Sequence, residues 1–306
     1  MLFRTLILKT SALRPVKSLV TRSFLFRPLV RRFIAGETLE EAMTAAEALA
    51  DTGLMVTLDL LGENVATIEE AERSTAAYIE IVERIATSRH RDKINISIKL
   101  TALGLDQGDA TAEANYCRLL TVALPHEVFV RVDMEASEYT ERTISMLERV
   151  FPQFSNTGTV LQSYMRRTED DLERLITLGC RIRIVKGAYL ESENVAFQDK
   201  AVVDEKYVQA AKTLVDRANY PAIATHDEAI VTTIKAYASE QQIDKSRYEW
   251  QMLYGIRRDL QDSLKNEGHN VRIYVPYGSQ WYPYFSRRLA ERPANMLFIV
   301  KSMFKR

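Results

Sequence analysis

Past the first fifty residues the chain alternates between two hydrophobic periods. Short runs rich in β-branched and aromatic side chains stand at 55–62, 94–103, 128–137, 158–165, 181–189, 221–227, 248–255 and 271–278. Between them lie stretches with helical spacing, such as 68–86 and 206–218. Eight strands, each followed by a helix, is the count of a (βα)8 barrel and not of a sandwich or a bundle. No Pro- or Ser-rich linker, low-complexity segment or longer repeat interrupts the series. The pattern therefore predicts one domain over residues 1–306, with a helical arm over 1–50, a barrel over 55–293 and a final helix over the barrel mouth.

A barrel of this kind carries its site at the C-terminal ends of the strands, on the inward face of a period-two pattern. Polar residues are expected there, and the sequence supplies them. In the second run Ile94, Ile96, Ile98 and Leu100 point one way, while Asn95, Ser97 and Lys99 point the other. In the third, Arg131 and Asp133 oppose Val130 and Val132. Later runs bring Gln162, Arg183, Lys186, His226, Gln251 and Tyr274. A solvated surface has no reason to place a polar residue near the end of nearly every strand.

The densest cluster follows the eighth run. Tyr284, Arg287, Arg288 and Glu291 fall at i, i+3, i+4 and i+7, one face of a helix framed by Pro283 and Pro293. Aimed inward over the mouth, paired guanidinium forks suit a small carboxylate. Aimed outward, they are a solvated face. Lys99 late in a strand has three readings: a Schiff-base nucleophile, a partner of Asp133 and a substrate carboxylate, or half of a structural ion pair. Arg183 projects to the same side as Val185, with Lys186 on the other. Gly187 lets backbone approach a ligand closely. His226 is a candidate ligand contact, whereas its neighbour Asp227 is placed to cap the next helix. No GxGxxG or P-loop occurs, so any dinucleotide is held differently. Four histidines without HxH or HExxH spacing argue against a catalytic metal.

Composition changes this picture at one place. The 306 residues exceed the roughly 250 of a typical barrel and would also allow two domains. With 41 basic and 41 acidic residues, net charge implies no nucleic-acid partner. The first 36 residues, however, hold eight Lys or Arg and no acid. That start reads as a transit peptide, as a packed arm, or as an interfacial patch in which Leu2, Phe3, Leu6, Ile7, Phe24, Leu25 and Phe26 alternate with cations. No run reaches the ~18–20 apolar residues of a membrane span. Cys117 and Cys180, far apart, point to a reducing cytosol with no disulfide framework.

Together the segments SIKLTAL, RVDMEAS, LQSYMRR, RIRIVKGAY, ATHD, EWQMLYG, RIYVPYG and YFSRRLAERP resemble the proline dehydrogenase family, in the right order across residues 36–293. The overall size is similar to its monofunctional bacterial members. The resemblance implies oxidation of L-proline to Δ1-pyrroline-5-carboxylate by non-covalent FAD in a distorted barrel, with electrons passed to a membrane quinone. It implies that Arg287 and Arg288 hold the substrate carboxylate with help from Lys99, that Tyr274, Tyr284 and Leu253 wall the pyrrolidine ring, and that Glu291 pairs with the clamp. It assigns Arg183 to the neighbourhood of flavin N5. Met134, Gln162, Val185, Lys186, Gly187, Ala188, Thr225, His226 and Gln251 become cofactor contacts. Asp133 becomes the organiser of the site, through a neighbouring tyrosine or cation.

Further expectations follow from that resemblance. Members that prefer hydroxyproline carry a smaller residue at the position of Tyr274, so proline is favoured here. Leu190 departs from the family, whose long fused members carry a tryptophan just after VKGAY; this puts one cofactor contact in doubt. The chain has no aldehyde dehydrogenase segment, so the product passes to a separate pyrroline-5-carboxylate dehydrogenase. The expected location is cytoplasmic, with the basic N-terminus touching the inner membrane face. The rivals are a Schiff-base aldolase or lyase using Lys99, and an inactive membrane-surface protein.

Overall fold

The computed structural model describes residues 27–291, with side chains from 30 to 288. Of the basic start read over residues 1–36, the first 26 residues lie outside them. Two helices precede the barrel, α1 (Arg27–Phe33) and α2 (Leu39–Asp51). The strands are β1 (Met55–Leu60), β2 (Ile94–Ile98), β3 (Val130–Val132), β4 (Thr157–Gln162), β5 (Arg181–Val185), β6 (Ala222–Ala224), β7 (Glu249–Leu253) and β8 (Asn270–Tyr277). They alternate with α3 (Ile68–Ala86), α4 (Asp109–Ala123), α5 (Ser137–Val150), α6 (Thr168–Leu178), α7 (Lys200–Arg217), α8 (Glu228–Glu240) and α9 (Arg258–Asn266), and α10 (Trp281–Glu291) closes the series. All eight strands pair in parallel, and β8 returns to β1 to complete a closed barrel.

Local chemistry starts the helices where the sequence leaves the strands. Thr38 and Glu41 form a capping box before α2, with the Glu41 N–H donating to Thr38 Oγ1 and the Thr38 N–H to Glu41 Oε2. Thr67, Asp199 and Asp227 cap α3, α7 and α8 through side-chain oxygens. Gly179, at φ +80°, ends α6 in the left-handed conformation that glycine adopts without strain. The strands are shorter than the apolar runs of the sequence. In the third run only Val130–Val132 is strand, because Asp133 and the residues after it leave the sheet to build the site.

The two faces of the barrel wall differ sharply. Outward side chains are apolar: Val56, Leu58, Ile96, Ile98, Val130, Ile182, Ile184, Trp250 and Ile273 are almost fully buried against the helices. Inward side chains, stacked in layers of four from alternate strands, are largely polar. Met55, Phe129, Arg181 and Glu249 form a layer near the N-terminal ends. Thr57, Arg131, Arg183 and Gln251 lie above it, and Asp59, Asp133, Val185 and Leu253 above those. Polar character thus runs through the depth of the barrel, whereas the sequence pattern predicts it near the strand ends. Arg131, for one, reaches the Thr159 and Arg181 carbonyls at 3.1 and 3.2 Å rather than the site.

The N-terminal helices and the last helix exchange their usual places. α2 packs across the β1–β8 seam, burying Ala42, Met43 and Ala46 there, small residues that permit close approach. α10 instead packs with α1. Phe33, Ile34, Leu61, Ile256, Trp281, Tyr282, Tyr284 and Phe285 form a second apolar cluster, with Leu253 against it. Trp281 Nε1 donates to Glu37 at 3.0 Å, and Ala35 and Gly278 exchange backbone bonds with Pro276 and Gly36. The final helix therefore caps the C-terminal end of the barrel, as the sequence predicts.

Candidate active site

Inward residues from five strands meet at that end. Asp133, just past β3, accepts from Arg183 Nη1 on β5 at 2.7 Å and from the Tyr274 hydroxyl on β8 at 2.6 Å. Arg183 Nη2 also donates to Ser97 at 3.2 Å, and its guanidinium lies over the Tyr274 ring, 5.2 Å from the centroid. Lys99, one residue beyond β2, donates to Asp59 on β1 at 2.9 Å and stands 4.0 Å from Asp133. Asp59 is thus the nearer carboxylate partner of Lys99, added to the pairing with Asp133 weighed from the sequence, which is present at 4.0 Å. Asp59 lies opposite Ser97 in the β1–β2 register, two residues before Lys99, within reach of the long lysine side chain.

Charge is fixed by these contacts. Burial opposes ionisation of Lys99, but the Asp59 and Asp133 carboxylates outweigh it and hold the amine well above its ordinary range. Burial pushes Asp59 up while Lys99 pulls it back; with the atoms at 2.9 Å we take the pair as ionised. An ammonium has three donors, so one bond to Asp59 leaves others for a ligand. Burial, with Asp133 and Asp59 beside it, raises the Tyr274 phenol well above its usual value and keeps it neutral. Glu135 accepts from the Thr101 hydroxyl at 2.5 Å, and burial pushes its carboxyl up to about 7.

The clamp predicted from the helix face sits above this network. Arg287 Nη1 reaches Glu63, in the loop after β1, at 3.4 Å. The Arg288 guanidinium lies 5.3 Å from the Tyr284 ring centroid. Tyr284 is buried and packs in the cluster that includes Leu253. Glu291 ends α10, but its side chain lies outside the described residues.

The remaining predicted contacts line the mouth between β3 and β7. Gln162 is buried and donates to the Glu135 carbonyl at 3.0 Å; Met134 is buried nearby. The Val185 carbonyl accepts from the Ser163 N–H and the Lys186 carbonyl from Tyr164. Lys186 is not in open solvent: it pairs with Asp204 at 2.5 Å and Asp227 at 3.1 Å. Asp227 also caps α8, the role weighed for it from the sequence. Thr225 Oγ1 accepts from the Asp227 N–H, and His226 Nε2 accepts from the Leu253 N–H at 2.9 Å. Gly187 has φ +117°, and a Cβ there would meet the Tyr164 ring at 2.3 Å; packing against Tyr164 is what requires glycine. Ala188 is exposed where the chain leaves β5, and Leu190 is 75% exposed.

Several residues of the site escape the sequence reading. Asp59, Glu63, Thr101, Glu135, Glu249 and Arg272 all engage residues that it names or their neighbours. Asp59 had a signal, since MVTLDL sets Thr57 and Asp59 on one side of β1 by the same alternation used for β2. Glu249 and Arg272 lie at the starts of their strands, where a site-at-the-C-terminus rule does not look.

This architecture has relatives. The proline dehydrogenase family model matches residues 42–301. Proline dehydrogenase 1 of Bacillus subtilis is 40% identical over 276 residues, covering 90% of this chain and 91% of that one. Proline dehydrogenase of Deinococcus radiodurans is 38% identical over 307 residues, covering 99% and 98%. Among solved structures, proline utilization A from Bdellovibrio bacteriovorus, inactivated by N-propargylglycine, superposes with a TM-score of 0.82 at 24% identity. It aligns with 95% of this chain, which spans 36% of that longer protein. A barrel of matching fold and near full-length similarity to monofunctional bacterial enzymes lead to one conclusion: the chain belongs to the proline dehydrogenase family.

Proposed function

We propose that the protein oxidises L-proline to Δ1-pyrroline-5-carboxylate with non-covalently held FAD, passing the electrons to a membrane quinone and the product to a separate dehydrogenase. The observation that carries this reading is the Lys99–Asp59 and Asp133–Arg183–Tyr274 network at the C-terminal ends of the strands, beneath a helix bearing Arg287 and Arg288. FAD fits what the residues leave unanswered. Arg183 Nε and Gln251 Oε1 are buried without a hydrogen-bond partner among the described residues, as suits a ligand with its own donors and acceptors. Gln162, Arg183, the segment 185–188, Thr225, His226 and Gln251 would hold it, with the Met134 backbone alongside.

When bound, FAD supplies a two-electron acceptor for the hydride leaving the ring carbon next to nitrogen. The chain supplies position and field. Arg287, Arg288 and the Lys99 ammonium draw the proline carboxylate to one end of the site. The same cations disfavour a protonated ring nitrogen, so proline sheds its ammonium proton and has a lone pair to form the C=N bond. Tyr274, kept neutral and fixed by Asp133, walls the ring and leaves little room for a ring hydroxyl. The aromatic cluster under α10 excludes water from that side.

Lys99 as a protonated, ion-paired ammonium supports this reading over a Schiff-base lyase, which needs a free amine. The deciding assay is proline-dependent reduction of an electron-accepting dye by purified protein. A yellow protein that reduces dye with proline, and hydroxyproline only at much lower kcat/KM, is expected. A colourless protein, or one trapped by borohydride on Lys99 with a carbonyl substrate, refutes the proposal. For the basic first 30 residues we propose contact with anionic membrane; liposome binding unchanged by deleting residues 1–30 from a folded variant ends that part.

A further inference from the structure

Below the site, one buried carboxylate is left without a role by the reaction. Glu249, at the start of β7, is 1% exposed. Arg272 Nε donates to both of its oxygens at 3.0 Å, and Arg272 Nη1 is anchored on the Val56 and Lys93 carbonyls at 2.8 and 3.1 Å. Burial opposes the charge on Glu249, but Arg272 and Arg131 outweigh it and hold the carboxyl below its usual range. Two residues along the same strand, and one layer nearer the site, Gln251 Nε2 donates to Glu249 Oε1.

That contact settles which way the Gln251 amide faces. A carboxamide carries its donors and its acceptor on opposite edges. Against an ionised carboxylate the reverse orientation would set oxygen on oxygen, so the nitrogen faces Glu249. Gln251 Oε1 is therefore turned away from Glu249. It is buried, with no hydrogen-bond partner among the described residues.

We infer that Glu249, locked by Arg272, is a positioning residue that fixes the Gln251 amide so that an acceptor, and not a donor, is offered to the cofactor. The inference rests on the FAD reading above. The oxidised flavin ring system carries one N–H donor, at N3, and an acceptor of fixed orientation is matched to that class of group. A merely structural ion pair would set stability and leave the energetic worth of Gln251 toward FAD unaltered.

The test is a coupling measurement on full-length holoenzyme, reading FAD dissociation as the return of free-flavin fluorescence on dilution. Gln251→Leu in the natural background should weaken FAD about 10-fold, the scale of one buried hydrogen bond. The paired variant Glu249→Met/Arg272→Met removes both charges together, so no unpaired ion remains in the core. It should also weaken FAD by about 10-fold, and adding Gln251→Leu to it should change affinity by less than about 2-fold. Glu249→Gln keeps an acceptor for the Gln251 amide and should retain affinity within about 3-fold, which serves also where the paired variant does not fold. Gln251→Leu costing the same in both backgrounds, or Glu249→Gln losing FAD as fully as Gln251→Leu does, overturns the inference. If the natural protein holds no flavin at all, the FAD reading itself fails, a result distinct from either.

Discussion

Two guanidinium groups on α10 are held by different means. Arg287 is tied to Glu63 at 3.4 Å, whereas Arg288 lies over the Tyr284 ring. A planar guanidinium can meet a carboxylate in bidentate fashion, and Arg288 carries one beside the Tyr284 ring. A charge-assisted bond of this kind contributes about 2–3 kcal/mol. Arg288→Ala is accordingly expected to raise the proline KM about 30- to 150-fold, with flavin content unchanged in the purified protein. Unchanged proline affinity would remove Arg288 from the clamp. The residues of this face were legible from spacing alone, because a helix repeats every 3.6 residues. The partner of Lys99 was not, because Asp59 lies 40 positions away and only the closed barrel sets them side by side.

Among the elements, α1 and α10 form the cover, and backbone contact limits what can join them. Gly255, at φ +72° in the turn after β7, faces the carbonyl of Arg32 at the end of α1; a Cβ there would stand 1.8 Å from that oxygen. Gly255→Ala must therefore adopt a left-handed conformation that costs about 1–2 kcal/mol and also push α1 away. Its Tm is expected to fall by about 4 °C or more, and limited proteolysis should cut sooner within the first 40 residues. An unchanged Tm would mean that α1 yields at no cost. Strand and helix positions could be read from period alone. The exchange of places between α2 and α10 could not, because it depends on which apolar faces fit the β1–β8 seam. Small residues at Ala42, Ala46 and Ala50 are the only local hint of it.

For the molecule as a whole, a histidine outside the site is expected to set part of the acid stability. His269, 7% exposed, packs at 6.0 and 6.1 Å from the rings of Tyr248 and Trp250; neither ring nitrogen has a hydrogen bond among the described residues, and the Glu267 carboxylate stands 3.9 Å from Nε2. Burial, with Lys245 and Lys235 nearby, lowers its pKa to about 4. Unfolded, it takes a proton near 6.5. Between those values the unfolded chain binds more protons, so this stability is present above pH 6.5 and lost as pH falls toward 4. From pH 7 to pH 5 the loss is about 2 kcal/mol. His269→Phe should abolish that component, seen as a smaller drop in urea midpoint over the same pH interval; equal drops would refute it. The burial of Glu135, whose carboxyl sits near 7, works with the opposite sign in both proteins and cancels from the comparison.

The placement of α10 has a consequence in time. The β1–β8 seam is sealed by α2, which leaves the ribosome before any strand, so the barrel can close as soon as Tyr277 is available to pair with Leu60. Arg287 and Arg288 emerge only afterwards. A nascent chain arrested just past β8 would own a complete wall with Lys99, Asp59, Asp133, Arg183 and Tyr274 on it, yet neither arginine of the proposed clamp. On the proposed reading, the carboxylate grip is thus completed only after the scaffold that bears it has been sealed.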